Sequence, residues 1–230
     1  ITLPDQYRIM FFISPDESKV AVSYPEGINL YGINGTLIRS AVITYPFVNT
    51  ASEYAWVAEP VWSADSSRLI AVVPPQDPWV ENPLDSTVWQ IAGDGSSARI
   101  LFTDQMTYQS SIAAVSPDLS KILYLDRIGS PSDNQFALRL ANIDGSGMSE
   151  YATGSIHDLP SWSADRTYFY FHDLDSGAFI GQPGGSPVAL PDFRAGQRVT
   201  WVDDTRFIGA AGPEGGWRVM MGSTAWPTVL

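Results

Sequence analysis

Five times along this chain a short apolar run ends in a turn built around an aspartate, and a second apolar run follows at once. The turns read Ser14–Lys19 (SPDESK), Ser63–Arg68 (SADSSR), Ser116–Lys121 (SPDLSK), Ser163–Tyr168 (SADRTY) and, one residue shorter, Val202–Arg206 (VDDTR). Their aspartates, Asp16, Asp65, Asp118, Asp165 and Asp203, lie 49, 53, 47 and 38 residues apart. A recurrence at this spacing marks a chain assembled from supersecondary units that bury their apolar faces against one another.

The third unit shows the internal grammar best. Residues 111–116 are apolar, SPDLSK turns, 121–125 are apolar again, 136–143 form a third run, Asp144-Gly145 turns, and 148–152 make a fourth. Asp-Gly between apolar runs is a hairpin signal, and a type I′ turn needs positive φ at both central residues. Comparable turns fall at Asn34-Gly35, Asp94-Gly95 and Gly184-Gly185. Four runs joined in sequence order make a meander. Several meanders without a helical period predict an all-β fold, a β-propeller of four-stranded antiparallel blades. The expectation is one domain spanning 1–230, with five blades at residues 6–43, 57–104, 110–153, 157–191 and 197–230. The last blade carries its own fourth strand near residues 226–230. With 44% hydrophobic against 17% charged residues, the chain can bury a core of that size. The runs at 9–13 and 69–73 are apolar without alternation, as expected of strands covered on both faces. Trp62, Trp162 and Trp201 each stand immediately before a turn and are expected at equivalent, buried blade positions.

An aromatic, then Ser-Pro-Asp or Ser-Ala-Asp, an apolar strand and a later Asp-Gly resemble the WD-repeat-like propeller repeats of TolB-type proteins. The residues that carry the resemblance are Trp62 to Asp65, Trp162 to Asp165, Asp94-Gly95 and Asp144-Gly145. Similar repeats build the propellers in front of prolyl oligopeptidase catalytic domains. The resemblance covers nearly the whole chain and implies a propeller working outside the cytoplasm. It departs from the family where glycine usually follows the turn aspartate: Glu17, Ser66, Leu119, Arg166 and Asp204 stand there instead.

A net charge of −12 and a pI near 4.4 disfavour nucleic-acid backbones and anionic lipid surfaces as partners. The absence of cysteine removes disulfides, thiol catalysis and zinc–thiolate sites together. No stretch approaches the roughly 20 apolar residues of a membrane-spanning helix, so no membrane insertion is expected. A chain that begins at Ile1 reads as a mature product or an excerpt of a longer polypeptide.

Meander parity sorts the connections between the two ends of each blade. One end holds the tight Asp and Gly turns. The other holds long connections at residues 44–58, 74–85 and 127–134, and long ordered loops on a rigid scaffold are where function concentrates. They carry Tyr45, Phe47, Tyr54, Trp56 and Trp79 beside Glu53, Asp77, Glu81 and Asp85, with Tyr108 and Phe193 in shorter links. Such aromatics either pin the loops to the blades or present a surface for a protein partner or a carbohydrate. Trp56 and Trp79 are the expected anchors.

Both histidines precede an aspartate. His157-Asp158 enters one strand of the fourth unit and His172-Asp173 leaves the next, so pairing places them at the loop-rich end with Asp175 nearby. Together they are candidates for a divalent metal or, more simply, for loop hydrogen bonds. No other cofactor is expected.

Catalytic motifs are missing: there is no G-x-S-x-G, no H-E-x-x-H and no Gly-rich phosphate loop with Lys. Gly93–Ser97 (GDGSS) and Asn34-Gly35-Thr36 read as hairpin turns. The expectation is therefore a non-enzymatic, extracytoplasmic protein-binding or assembly module with no catalytic residues. The alternatives are a carbohydrate-binding or glycoside-hydrolase-like five-bladed propeller using paired carboxylates, and the propeller part of a larger prolyl-oligopeptidase-like enzyme.

Overall fold

The computed structural model describes residues 8–50, 55–80, 83–107, 112–130, 132–193, 199–211 and 218–224. Among them there is no helix, and the strands form five antiparallel sheets that follow one another along the chain. The first blade comprises β1 (Met10–Ile13), β2 (Lys19–Tyr24), β3 (Gly27–Gly32) and β4 (Leu37–Thr44). The second comprises β5 (Val61–Trp62), β6 (Arg68–Val73), β7 (Ser86–Ala92) and β8 (Ala98–Asp104). These blades form one compact unit, Ile1–Tyr108 with the turn Ile143–Gly145. The other unit, Gln109–Asn142 and Ser146–Leu230, holds the remaining three. Its blades are β9 (Ala113–Val115) to β12 (Ser149–Gly154), through β10 (Lys121–Ile128) and β11 (Gln135–Asn142); β13 (Ser161–Trp162), β14 (Phe169–Asp173), β15 (Gly177–Gly181) and β16 (Val188–Leu190); and β17 (Val199–Trp201), β18 (Arg206–Ala211) and β19 (Arg218–Ser223). The fourth strand expected near residues 226–230 lies outside the described residues.

The recurrent turn is a side-chain lock. In the first blade the Ser14 hydroxyl donates to Asp16 Oδ1 (2.6 Å) and accepts from the Lys19 N–H (2.9 Å), while the Ser18 N–H donates to the same carboxylate (3.1 Å). Ser63, Asp65 and Ser67 repeat it, as do Ser116, Asp118 and Ser120, and Ser163, Asp165 and Thr167. The shorter fifth turn keeps only the aspartate, which accepts from the Thr205 and Arg206 N–H groups (2.9 and 2.8 Å). In the four longer turns the residue after the aspartate is left-handed: Glu17, Ser66, Leu119 and Arg166 have φ of 55°, 57°, 58° and 61°. Glycine would be relaxed there, but two of these side chains reach the neighbouring blade. Ser66 Oγ accepts from the Asp16 N–H (3.1 Å), and Arg166 Nε stands 3.1 Å from Asp118 Oδ2. The outer hairpins differ from the type I′ expectation. Only the glycines, Gly35, Gly95 and Gly145, take positive φ, because Asn34 and Asp94 instead cap the turn by accepting the N–H of Thr36 (3.0 Å) and Ser96 (2.9 Å).

Three tryptophans stitch neighbouring blades within each unit. Trp62 Nε1 donates to the Phe12 carbonyl of the first blade (2.9 Å). Trp162 donates to Ala114 of the third (2.9 Å) and Trp201 to Ser161 of the fourth (2.9 Å). Each acceptor lies two residues before its own turn serine, so the stitch repeats in register. Trp62 is buried, whereas Trp162 and Trp201 are half-buried. The latter two set their edges against the cross-strand Phe169 and Phe207 (5.1 and 5.3 Å between centroids). Gly181 and Gly222 pair with those phenylalanines from the next strand, and a Cβ at either would come within 2.4 Å of the ring. Apolar layers then fill the spaces between blades: Leu123, Leu138, Ile156 and Phe171 in one, Tyr170, Ile180, Phe193 and Phe207 in the next. β6 from Leu69 onward and β14 are buried on both faces: Leu69–Val73 is an unbroken apolar run, and β14 follows Phe169–Phe171 with the buried His172 and Asp173. β1 is not: Phe11 and Ile13 are 53% and 58% exposed and alternate with the half-buried Met10 and Phe12.

Two outcomes are expected. Trp162→Phe, which keeps the ring and loses the donor, should lower unfolding stability by about 1 kcal/mol, and Trp162→Ala by about 3 kcal/mol, both read from urea titrations. The second concerns acid. Hydrogen bonds from the Ser63 hydroxyl and then from Ser67 pull the Asp65 carboxyl down to about 2 from 3.8, and the Thr205 N–H with Arg206 does the same at Asp203. The folded groups thus titrate below their unfolded counterparts. Their contribution is complete above about pH 4 and drains away as pH falls towards 2, so the urea midpoint should drop across that window.

Candidate functional site

The two long connections of the first unit meet at its loop-rich end. Residues 45–60 join the first blade to the second, and 74–85 join β6 to β7. Asn49 ties them together: its N–H donates to the Gln76 carbonyl (2.7 Å), and its side-chain amide donates to Asp77. Beneath this tie, Tyr45 holds the first loop to the sheet. Its hydroxyl donates to the Tyr24 carbonyl (2.8 Å) and accepts from the Ala58 N–H (3.1 Å), while its ring meets Trp56 edge-on at 5.5 Å. Both rings are buried at 8% exposure. Burial of the phenol pushes its pKa well above the ordinary 10, against the pull of the Ala58 hydrogen bond, so the hydroxyl remains a donor at every physiological pH.

The aromatic set therefore divides. Tyr45 and Trp56 are pins, and Trp56, expected as an anchor for a partner, has its ring under the loop instead. Phe47 and Trp79 face solvent at 40% and 53% exposure, joined by Val80 (52%) and Leu84 (81%). Single exposed apolar residues are ordinary; here four stand on two loops that the Asn49 bonds tie to each other. Val80 and Leu84 carry no sequence signal of a contact, because an aliphatic residue in a loop reads the same whether it packs inward or faces solvent. Tyr54 and Tyr108 lie outside the described residues.

In the second unit the histidines enter different contacts. His157 Nε2 stands 2.8 Å from the Asn134 amide, and its ring meets the edge of Phe136, whose face carries the Arg127 guanidinium at 5.0 Å. His172 is buried on β14, with Nε2 3.6 Å from Asp158 Oδ2. Asp173 caps the following turn by accepting from the Asp175 N–H (2.8 Å), and Asp175 accepts from the Ser155 hydroxyl (2.7 Å). His157, Asp158, His172 and Asp173 thus serve loop and strand contacts. Among the described residues no three His, Asp or Glu side chains converge as metal ligands would.

No family model matches the sequence, and no curated protein matches it. Solved structures do match in fold. TolB from Acinetobacter baumannii aligns with a TM-score of 0.55 at 13% identity, over 96% of this chain and 53% of that one. A protein from Agrobacterium tumefaciens assigned as TolB aligns at 0.56 and 15%, over 96% of this chain and 79% of that one. Oligogalacturonate lyase from Vibrio parahaemolyticus aligns at 0.58 and 12%, over 93% and 63%. The chain thus has the fold of TolB-type propellers, and it spans about half the length of the Acinetobacter protein. No helix among the described residues is long and apolar enough to cross a membrane.

Tyr45→Phe keeps the ring and removes the hydroxyl, leaving the buried Ala58 N–H without its acceptor. The expected cost is about 1–3 kcal/mol in global stability or in local opening of residues 45–58, and hydrogen exchange at the Ala58 amide reads either.

Proposed function

We propose that this chain is a non-enzymatic propeller that works outside the cytoplasm and binds another protein through the loop-rich end of its first unit. The observation that carries this reading is the division among the loop residues. Tyr45, Trp56 and Asn49 brace two long loops from beneath, and the braced loops hold Phe47, Trp79, Val80 and Leu84 in solvent. A pre-ordered apolar surface lowers the entropic cost of association, and tryptophan is the residue type most often found to dominate binding energy. The TolB-like fold supports the extracytoplasmic setting, and the lack of a nucleophile–base–orienter motif in the sequence supports a binding role over catalysis.

The likeness to oligogalacturonate lyase supplies a second reading, a propeller enzyme acting on acidic sugars. One experiment separates the two. A photo-crosslinking residue at Trp79, with a control at Glu17 on the opposite end, should capture a protein partner from the host's extracytoplasmic fraction at the first position only. Trp79→Ala should then weaken the purified partner by about tenfold or more. Equal capture at both positions, or turnover of oligogalacturonate with or without manganese, would overturn the proposal.

A further inference from the structure

The inference deepens the protein-binding reading and rests on it: the charge at the loop-rich end specifies the partner's chemistry. In the first unit the described residues of the connections at this end, 25–26, 45–50, 55–60, 74–80, 83–85 and 105–107, hold four Asp or Glu and no Lys or Arg. Glu26, Glu59, Asp77 and Asp85 are all exposed. Asp77 and Asp85 take hydrogen bonds from the uncharged Asn49 and Thr103, which orient the carboxylates without cancelling their charge. Among the described residues one cation approaches, Arg8, at 4.0 Å from Glu59 with both side chains half exposed, a separation that contributes little. The opposite end differs: Lys19 stands 3.6 Å from Asp16, and Arg68 lies beside the Asp65 turn.

We infer that this end docks a cationic, apolar-bearing segment of a partner protein, with Lys or Arg side chains meeting Asp77 and Asp85 and apolar side chains covering Trp79 and Leu84. Like charge concentrated on one end steers a cationic segment and repels an anionic one. The exposed indole adds an attraction of its own, since a guanidinium or ammonium favours an aromatic face. A polyanionic sugar is the wrong sign for this surface.

The test uses the full chain and three labelled probes: a twelve-residue peptide alternating Arg and Leu, the same peptide with Glu for Arg, and an oligogalacturonate. The Arg peptide should bind, and its affinity should fall about tenfold between about 50 mM and about 300 mM salt, while neither anionic probe binds. Trp79→Ala and D77N should each weaken it by about fivefold or more, whereas Glu17→Gln, an equal loss of charge to D77N at the other end, should leave it unchanged. Equal weakening by Glu17→Gln would mean attraction to the net charge of the molecule and would overturn the inference, as would binding of the Glu peptide or the oligogalacturonate. If a crosslinked partner lacks a basic segment yet still loses affinity with Trp79→Ala, this inference falls and the protein-binding reading stands.

Discussion

A serine hydroxyl, an aspartate carboxylate and two backbone N–H groups, repeated in four turns, hold this fold together. A hairpin joining a short inner strand to a long buried one must reverse direction sharply, and the left-handed residue that permits it opposes most side chains. Hydrogen bonds to the charged carboxylate are the stronger kind, and here they converge on one group from the serine two residues before it and the amide two residues after it. With the turn so held, Glu17, Ser66, Leu119 and Arg166 can occupy a conformation usually left to glycine. The substitution has a use: Ser66 and Arg166 reach from one turn to the turn before it, binding blade to blade at the same point that closes each hairpin.

Much of this was legible in the chain itself. The spacing of the five aspartates located the hairpins, and the strands observed around Ser116–Lys121 and Asp144-Gly145 fall within a few residues of the apolar runs that suggested them. What periodicity does not carry is the identity of a neighbour. The run at 9–13 is as apolar as that at 69–73, yet Phe11 and Ile13 are exposed while Leu69–Val73 is buried. The type I′ expectation failed for a local reason: Asn34 and Asp94 satisfy the turn through their own side chains, which leaves positive φ to glycine alone.

The candidate site was legible only as a place. Parity put the long loops at one end, but residue type does not say whether an aromatic is a pin or a contact. Tyr45 and Trp56 look like Trp79 in the sequence. They differ because Tyr45 finds two backbone partners under its loop, a three-dimensional coincidence without a one-dimensional signal. The two histidines make the same point, for His157 turns to Asn134 and His172 to Asp158.

The tryptophan stitches run in one direction, always from a blade's indole N–H back to a carbonyl of the blade before it. Donor and acceptor are unequal when separated. A carbonyl that loses its indole can take a water on either lone pair, whereas the indole has a single hydrogen to offer and a large ring that the earlier blade had covered. Trimming such an array from its carboxyl end therefore uncovers acceptors that solvent readily serves, and trimming from the amino end uncovers tryptophan. The array has a polarity of dependence: each stitched blade leans on its predecessor more than the predecessor leans on it.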